Sequence, residues 1–200
     1  MAAPADRALH ELVDRQAMAD LRVRYCRGVD RCDVALMRSV FWPDAVAHYG
    51  IYNGSAVDFA ELTVKTVREA CQATMHLIAN VTVNLQDDWA AGETYVVAYH
   101  SIKSIESIGQ LLEDAALSEF RHSLMTESGP CSFVVGSRYL DRFTRRNGEW
   151  RIQERSYVWD WCEKGPANLM FHALNSGTQL RVGQRDIADA SYACFRSAPI

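Results

Sequence analysis

His76-Leu77-Ile78-Ala79-Asn80-Val81-Thr82-Val83-Asn84-Leu85 is where the apolar pattern of this chain changes period. Upstream of it, apolar residues recur at helical spacing; from here on they alternate, as in half-buried strands. Asp87-Asp88 with Ala91-Gly92 predicts a turn, after which Glu93 to Ile102 returns as an antiparallel strand. Ser132 to Phe143 predicts a third strand, and Asn147-Gly148, a strong hairpin signal, leads into a fourth over Trp150 to Trp159.

Working back from His76, Ser55-Ala-Val-Asp58 resembles a capping box, so a helix is predicted from Ala56 to Ala73. Its inner face would carry Phe59, Leu62, Thr66, Val67 and Ala70. A short strand over Ala45 to Tyr49 and the turn-prone Tyr52-Asn53-Gly54 precede it. Asp33 is placed to cap a short helix that Trp42-Pro43 stops. Before that, Leu9, Leu12, Val13, Ala17, Leu21, Tyr25 and Gly28 mark one face of a long helix over residues 8–29, and Asp30 stands where it runs out. Helices first and long antiparallel strands afterwards imply α+β architecture, with the helices on one face of a curved sheet that encloses an interior.

Composition narrows the function. Two hundred residues, 48% of them apolar, suit one domain with a sizeable core. A formal net charge of −4 leaves no basic footprint for nucleic acid. No run approaches a membrane span, and Met1 to Arg7 lacks the pattern of a signal peptide, so a cytoplasmic protein is expected. The six cysteines lack paired metal spacing and are expected to be reduced. The familiar zinc, nucleotide and serine-hydrolase motifs are missing from the sequence. Residues 103–131 interrupt the strands as a helical excursion, either a lid or an extension of the subunit surface. The tail from Gly165 has no clear period and is expected to wrap the domain or a neighbouring subunit.

Alternation then sorts the strands. His76 is predicted to share a face with Ile78, Asn80 and Thr82, and His100 with Val96 and Ala98. Arg155 is predicted to share one with Gln153, Tyr157, Trp159 and Trp161. Such an arginine either stacks on its aromatic neighbours or projects into a cavity to bind negative charge. Asp30 taken alone reads as a surface carboxylate, and His76 alone as a satisfied core histidine.

Several segments taken together resemble SnoaL-like proteins of the NTF2-like superfamily. These are Leu12 to Tyr25, then Asp30 and Asp33, Phe41-Trp-Pro-Asp-Ala45, Thr74-Met-His76, Gly136 to Phe143, and Asn147-Gly-Glu-Trp150-Arg-Ile152. The similarity covers about residues 8–161. It implies a cone-shaped α+β fold around a hydrophobic pocket, in dimers or trimers. Dehydratases and dehydrochlorinases of the superfamily use an Asp–His pair inside the cone, and the matching positions are Asp30 and His76. An arginine on the last strand, a few residues after the tryptophan, assists the leaving group in the dehydrochlorinase, and Arg155 matches it. His100 corresponds to a second histidine of the dehydratase. Tyr25 stands where the dehydrochlorinase has lysine, so the leaving-group chemistry need not be shared.

The resemblance thus implies a lyase without metal or organic cofactor, eliminating water or another small group, formaldehyde included, from a hydrophobic small molecule. Tyr25, Tyr49, Tyr139, Tyr157, Trp159 and Trp161 would suit an aromatic guest, and His48 would lie near the cone's mouth. The same fold also carries ketosteroid-type isomerases and the non-catalytic small subunit of aromatic-ring dioxygenases.

Overall fold

The computed structural model describes residues 4–50, 52–103, 131–166, 183–189 and 191–192. The expected excursion thus lies almost wholly outside the described residues, as does much of the tail. The element order is α1 (Pro4–Asp30), α2 (Val34–Ser39), β1 (Phe41–His48), β2 (Asn53–Ser55), α3 (Ala56–Ala70), β3 (Cys71–Gln86), β4 (Trp89–Ile102), β5 (Cys131–Arg146) and β6 (Glu149–Pro166). The strands form one six-stranded sheet in the order β2-β1-β6-β5-β4-β3, antiparallel except where β1 runs parallel to β6. This is the expected α+β architecture, an open curved sheet with the N-terminal helices against it.

Local chemistry explains most boundaries. The Asp33 side chain accepts from the Leu36 N–H and Ser55 accepts from the Asp58 N–H, so both short-range caps form as predicted. Asn147 and Gly148 take φ of 53° and 81°, the positive pair that a tight hairpin between right-twisted strands needs. α3 ends three residues before the predicted Ala73, because the chain is already paired with β4 from Cys71 onward. Asn53-Gly54 does not only turn: it adds a short strand to the edge of β1.

α1 buries Met18, Leu21, Arg22, Tyr25, Cys26, Val29 and Asp30, a stripe at i, i+3, i+4 spacing. Leu9, Leu12 and Val13, expected on that face, are exposed. In α3, Leu62 and Thr66 turn out of the core, and Ala60 and Val64 pack inward beside Phe59 and Val67. Gly28 is required by close approach, since a Cβ there would lie 2.8 Å from the Met37 backbone nitrogen and 2.9 Å from its Cβ.

Three irregularities revise the predicted faces. Register shifts between Ala79 and Val81 on β3, and at two places in the β5–β6 pairing, each insert one extra residue. Beyond a bulge the alternation inverts. Asn80 and Gln153 therefore drop out of the ladder, and Thr82 moves to the outer face. Trp161 opposes outward Gly136, where a Cβ would lie 2.0 Å from the indole. Gly92, expected in a turn, lies within β4 beneath the Arg22 guanidinium, 2.5 Å from where its Cβ would be.

At mid-height the inner face carries a buried charged layer. Arg155 donates from Nε and Nη2 to the Asp141 carboxylate at 2.6 and 2.8 Å, and both side chains are fully buried. Arg22 is also buried, lies 4.8 Å over the Phe143 ring, and makes no hydrogen bond among the described residues. Asp141 thus pairs with one buried cation, Arg155, and acts on the second, Arg22, through coulombic attraction alone.

Two stability outcomes follow. Gly28→Ala should cost about 2 kcal/mol by forcing α1 away from the α2 backbone, measurable as a lower midpoint in urea. Asp141→Asn leaves both arginines uncompensated and should cost about 3–5 kcal/mol in the same measurement.

Candidate active site

The upper part of the cone is built where α1 ends against the start of β3. β3 is an edge strand, so its outward-facing N–H groups need partners other than β4. At His76 that partner is Asp30. The His76 backbone N–H donates to Asp30 Oδ2 at 2.9 Å, and the ring Nδ1 lies 2.7 Å from Oδ1. A carboxylate can only accept, which assigns the proton to Nδ1 and leaves the lone pair on Nε2. Nε2 makes no hydrogen bond among the described residues. The Asp30 and His76 side chains are 12% and 8% exposed, so solvent barely competes with the pair.

Electrostatics hold Asp30 ionised. Burial is the largest influence and pushes its carboxyl upward. The His76 ring N–H, its coulombic pull and its backbone N–H together outweigh that and keep Asp30 below the usual carboxylate value. His100 sits edge-to-face with His76, ring centroids 5.4 Å apart, because its partner residue across the ladder is Thr74. Burial first, then the neighbouring His76, pushes its imidazole down to about 3, so it is neutral in the folded protein.

Below the histidines lies a layer of aromatic hydroxyls. Tyr25 and Tyr49 share a hydrogen bond of 2.8 Å between their hydroxyl groups. Tyr49 stacks on Tyr157 at 4.9 Å and on Phe59 at 4.0 Å. Tyr139 meets Tyr25 edge-on at 5.4 Å. Trp159 continues the row on the same face as Tyr157, ring centroids 6.5 Å apart, and is 46% exposed. Burial pushes the Tyr25 hydroxyl up to about 12, so it stays protonated and available as a donor.

Arg155 is placed differently from an arginine reaching into open space. Its guanidinium lies 4.1 Å from the ring centroids of both Tyr25 and Tyr139, underneath the hydroxyl layer, and two of its nitrogens are committed to Asp141. The stacking and the charge therefore coexist. The pattern around Gly136 to Phe143 identified the strand, yet no local signal named Asp141 as the arginine's partner.

His48 turns to the opposite face from Tyr49 and pairs with Asn53 at 3.1 Å. The open groove on the outer face of the sheet, about 400 Å³, is lined by Thr82, Asn84, Glu93, Arg142, Glu154 and neighbours, away from Asp30 and His76. Among the described residues no three His, Cys, Asp or Glu side chains converge as a metal site requires. Among the described residues Cys26, Cys32, Cys71 and Cys162 are free thiols. No described helix is long and apolar enough to cross a membrane.

Known structures share this architecture. A type 2 hexachlorocyclohexane dehydrochlorinase (LinA) superposes with a TM-score of 0.62 at 18% identity, over 80% of this chain and 95% of that one. The type 3 dehydrochlorinase from Novosphingobium barchaimii gives 0.61 at 17% identity, over 88% and 99%. A scytalone dehydratase-like protein from Novosphingobium aromaticivorans gives 0.59 at 15% identity, over 90% and 97%. At such identities the likeness establishes the NTF2-like fold. No curated protein matches the sequence. The sequence profile of the SnoaL-like domain, however, matches residues 10–156, so the chain belongs to the SnoaL-like domain family.

Proposed function

We propose that the protein is a cofactor-independent lyase in which Asp30 and His76 form the general base. The observation that carries this reading is the two-point hold of one carboxylate on one histidine, through ring and backbone, in a site nearly closed to water. Asp30 fixes the tautomer that leaves Nε2 as the acceptor of a substrate proton. Nε2 removes a proton from a substrate carbon, the C–H electrons form the new double bond, and the leaving group departs from the adjacent carbon.

The layer beneath suits the departing group. Tyr25 is a protonated phenol, hydrogen bonded to Tyr49, with the Arg155 cation under its ring. It supplies the proton that turns a departing hydroxide into water, while Arg155 stabilises negative charge developing above it. Neutral His100 adds a hydrogen-bonding edge without repelling a protonated His76. Tyr49, Tyr139, Tyr157 and Trp159 present faces for a hydrophobic, aromatic substrate that loses water or another small group. For loss of formaldehyde Nε2 would instead take the proton of a hydroxymethyl O–H, the O–H electrons forming the C=O bond. The C–C electrons then form the new double bond and expel the hydroxyl of the adjacent carbon as water. The family resemblance supports a homodimer or homotrimer.

Screening phenolic and hydroxylated aromatic compounds for loss of a small group tests the reaction class. On any substrate found, Asp30→Asn and His76→Ala should each lower kcat by about 10²–10⁴-fold with the circular dichroism spectrum retained. Wild-type rates in both variants would refute the dyad.

His100 makes a separate prediction about pH. Its folded value is depressed, so its neutral form contributes stability fully above the ordinary value near 6.5, and that contribution is lost as pH falls toward about 3. At pH 5 the loss attributable to this group should be about 2 kcal/mol relative to pH 8. His100→Gln should therefore show a shallower fall in thermal midpoint between pH 8 and pH 5 than wild type.

A further inference from the structure

The described tail residues lie outside the stretch matched by the SnoaL-like profile, and they converge on the two segments that carry Asp30 and His76. Arg185 donates from Nη1 to the carbonyl oxygens of Val67, at 2.9 Å, and of Cys71. Its Nη2 lies 3.2 Å from Cys32 Sγ. One guanidinium thus ties the turn after α1 to the last turn of α3 and the first residue of β3. Cys32 follows Asp30 by two residues and sits at φ 51°, a left-handed conformation a non-glycine residue keeps only when its surroundings hold it. Cys71 precedes His76 by five residues on the same strand.

The rest of the tail reinforces this grip. Asp189 pairs with Arg31, the residue after Asp30, at 3.4 Å. The Tyr192 hydroxyl donates to Asp33 Oδ2 at 2.8 Å, and Arg27 donates to Ser191 Oγ at 3.0 Å while lying 4.6 Å over the Tyr192 ring. Asp189 also accepts from the Gln184 and Ser191 N–H groups, which folds the tail into a turn of fixed shape. Apart from Val67 and Cys71, the partners of these tail residues outside the tail fall on residues 27–33.

We propose that Arg185, held by this turn, is a positioning residue for the Asp30–His76 pair. The hydrogen bonds within the pair join two elements, α1 and β3, that are far apart in sequence, and neither element alone sets their separation. The 2.7 Å ring contact tolerates little drift, since a hydrogen bond weakens steeply with distance and angle. Arg185 fixes that separation from the segments that flank the pair, without touching the Asp30 or His76 side chain. The idea rests on the dyad being catalytic only for its consequence on rate; the geometric claim stands apart from it.

Hydrogen exchange and imidazole NMR on the full chain test the claim without a substrate. The His76 backbone amide reports the contact directly, because it donates to Asp30. In Arg185→Ala that amide should exchange at least about tenfold faster than in wild type, while amides near Val96 and Ile152 keep their rates. The low-field Nδ1–H resonance of His76 should broaden or vanish. Arg185→Lys should restore part of both signals, and Arg38→Ala, which removes only the exposed pair with Glu61, should change neither. Tyr192→Phe, which removes one outer hydrogen bond, gives the milder test should Arg185→Ala not fold, and should show the same local change at smaller size. Unchanged His76 signals in a folded variant would overturn the proposal. So would a uniform rise in exchange across the whole sheet, which marks the tail as general stabilisation. Should Asp30→Asn keep full turnover, the lyase reading fails while these signals still decide the role of Arg185.

Discussion

A single carboxylate joins the two halves of this fold at the point where chemistry is possible. Asp30 ends α1 and accepts both the ring and the backbone N–H of His76 near the start of β3. The backbone bond satisfies an edge-strand donor that would otherwise face away from the sheet unpaired. The ring bond sets the tautomer. Because both come from one residue, the position of the strand and the protonation pattern of the imidazole cannot be adjusted separately.

Beneath that junction the interior is layered. Hydroxyl groups of Tyr25 and Tyr49 lie under the histidines, and the Arg155–Asp141 pair lies under the tyrosines. A buried ion pair costs desolvation that its mutual attraction roughly offsets, so its presence is not explained by stability. Placing a fixed cation below a row of phenols gives the hydroxyl layer a positive floor. Arg22, stacked on Phe143 and without a hydrogen bond among the described residues, adds to that charge. An elimination that develops negative charge on a departing atom would benefit from such a floor.

The fold was largely legible because its signals are local. Caps at Asp33 and Ser55, the Asn147-Gly148 turn and the shift to two-residue alternation each depend on a few adjacent side chains. The misread strand faces share one cause. Asn80, Thr82, Gln153 and Trp161 were placed by counting along strands that contain bulges. A bulge is a tertiary accommodation of sheet curvature, and one inserted residue inverts every face beyond it. Leu9, Leu12 and Val13 fit a helical stripe equally well whether or not anything packs on them.

By itself the sequence determined the residue types and their order: a carboxylate where the first helix stops, a histidine where strands begin, an arginine amid aromatics. It also determined the α+β class, since hydrophobic period is a property of neighbouring residues. Tertiary structure alone decided that Asp30 holds His76 at two points, that Asp141 pairs with Arg155, and that Arg185 reaches Cys32, Val67 and Cys71. Those contacts join residues 14 to 153 positions apart. Their existence depends on where whole elements come to rest, which no local preference encodes.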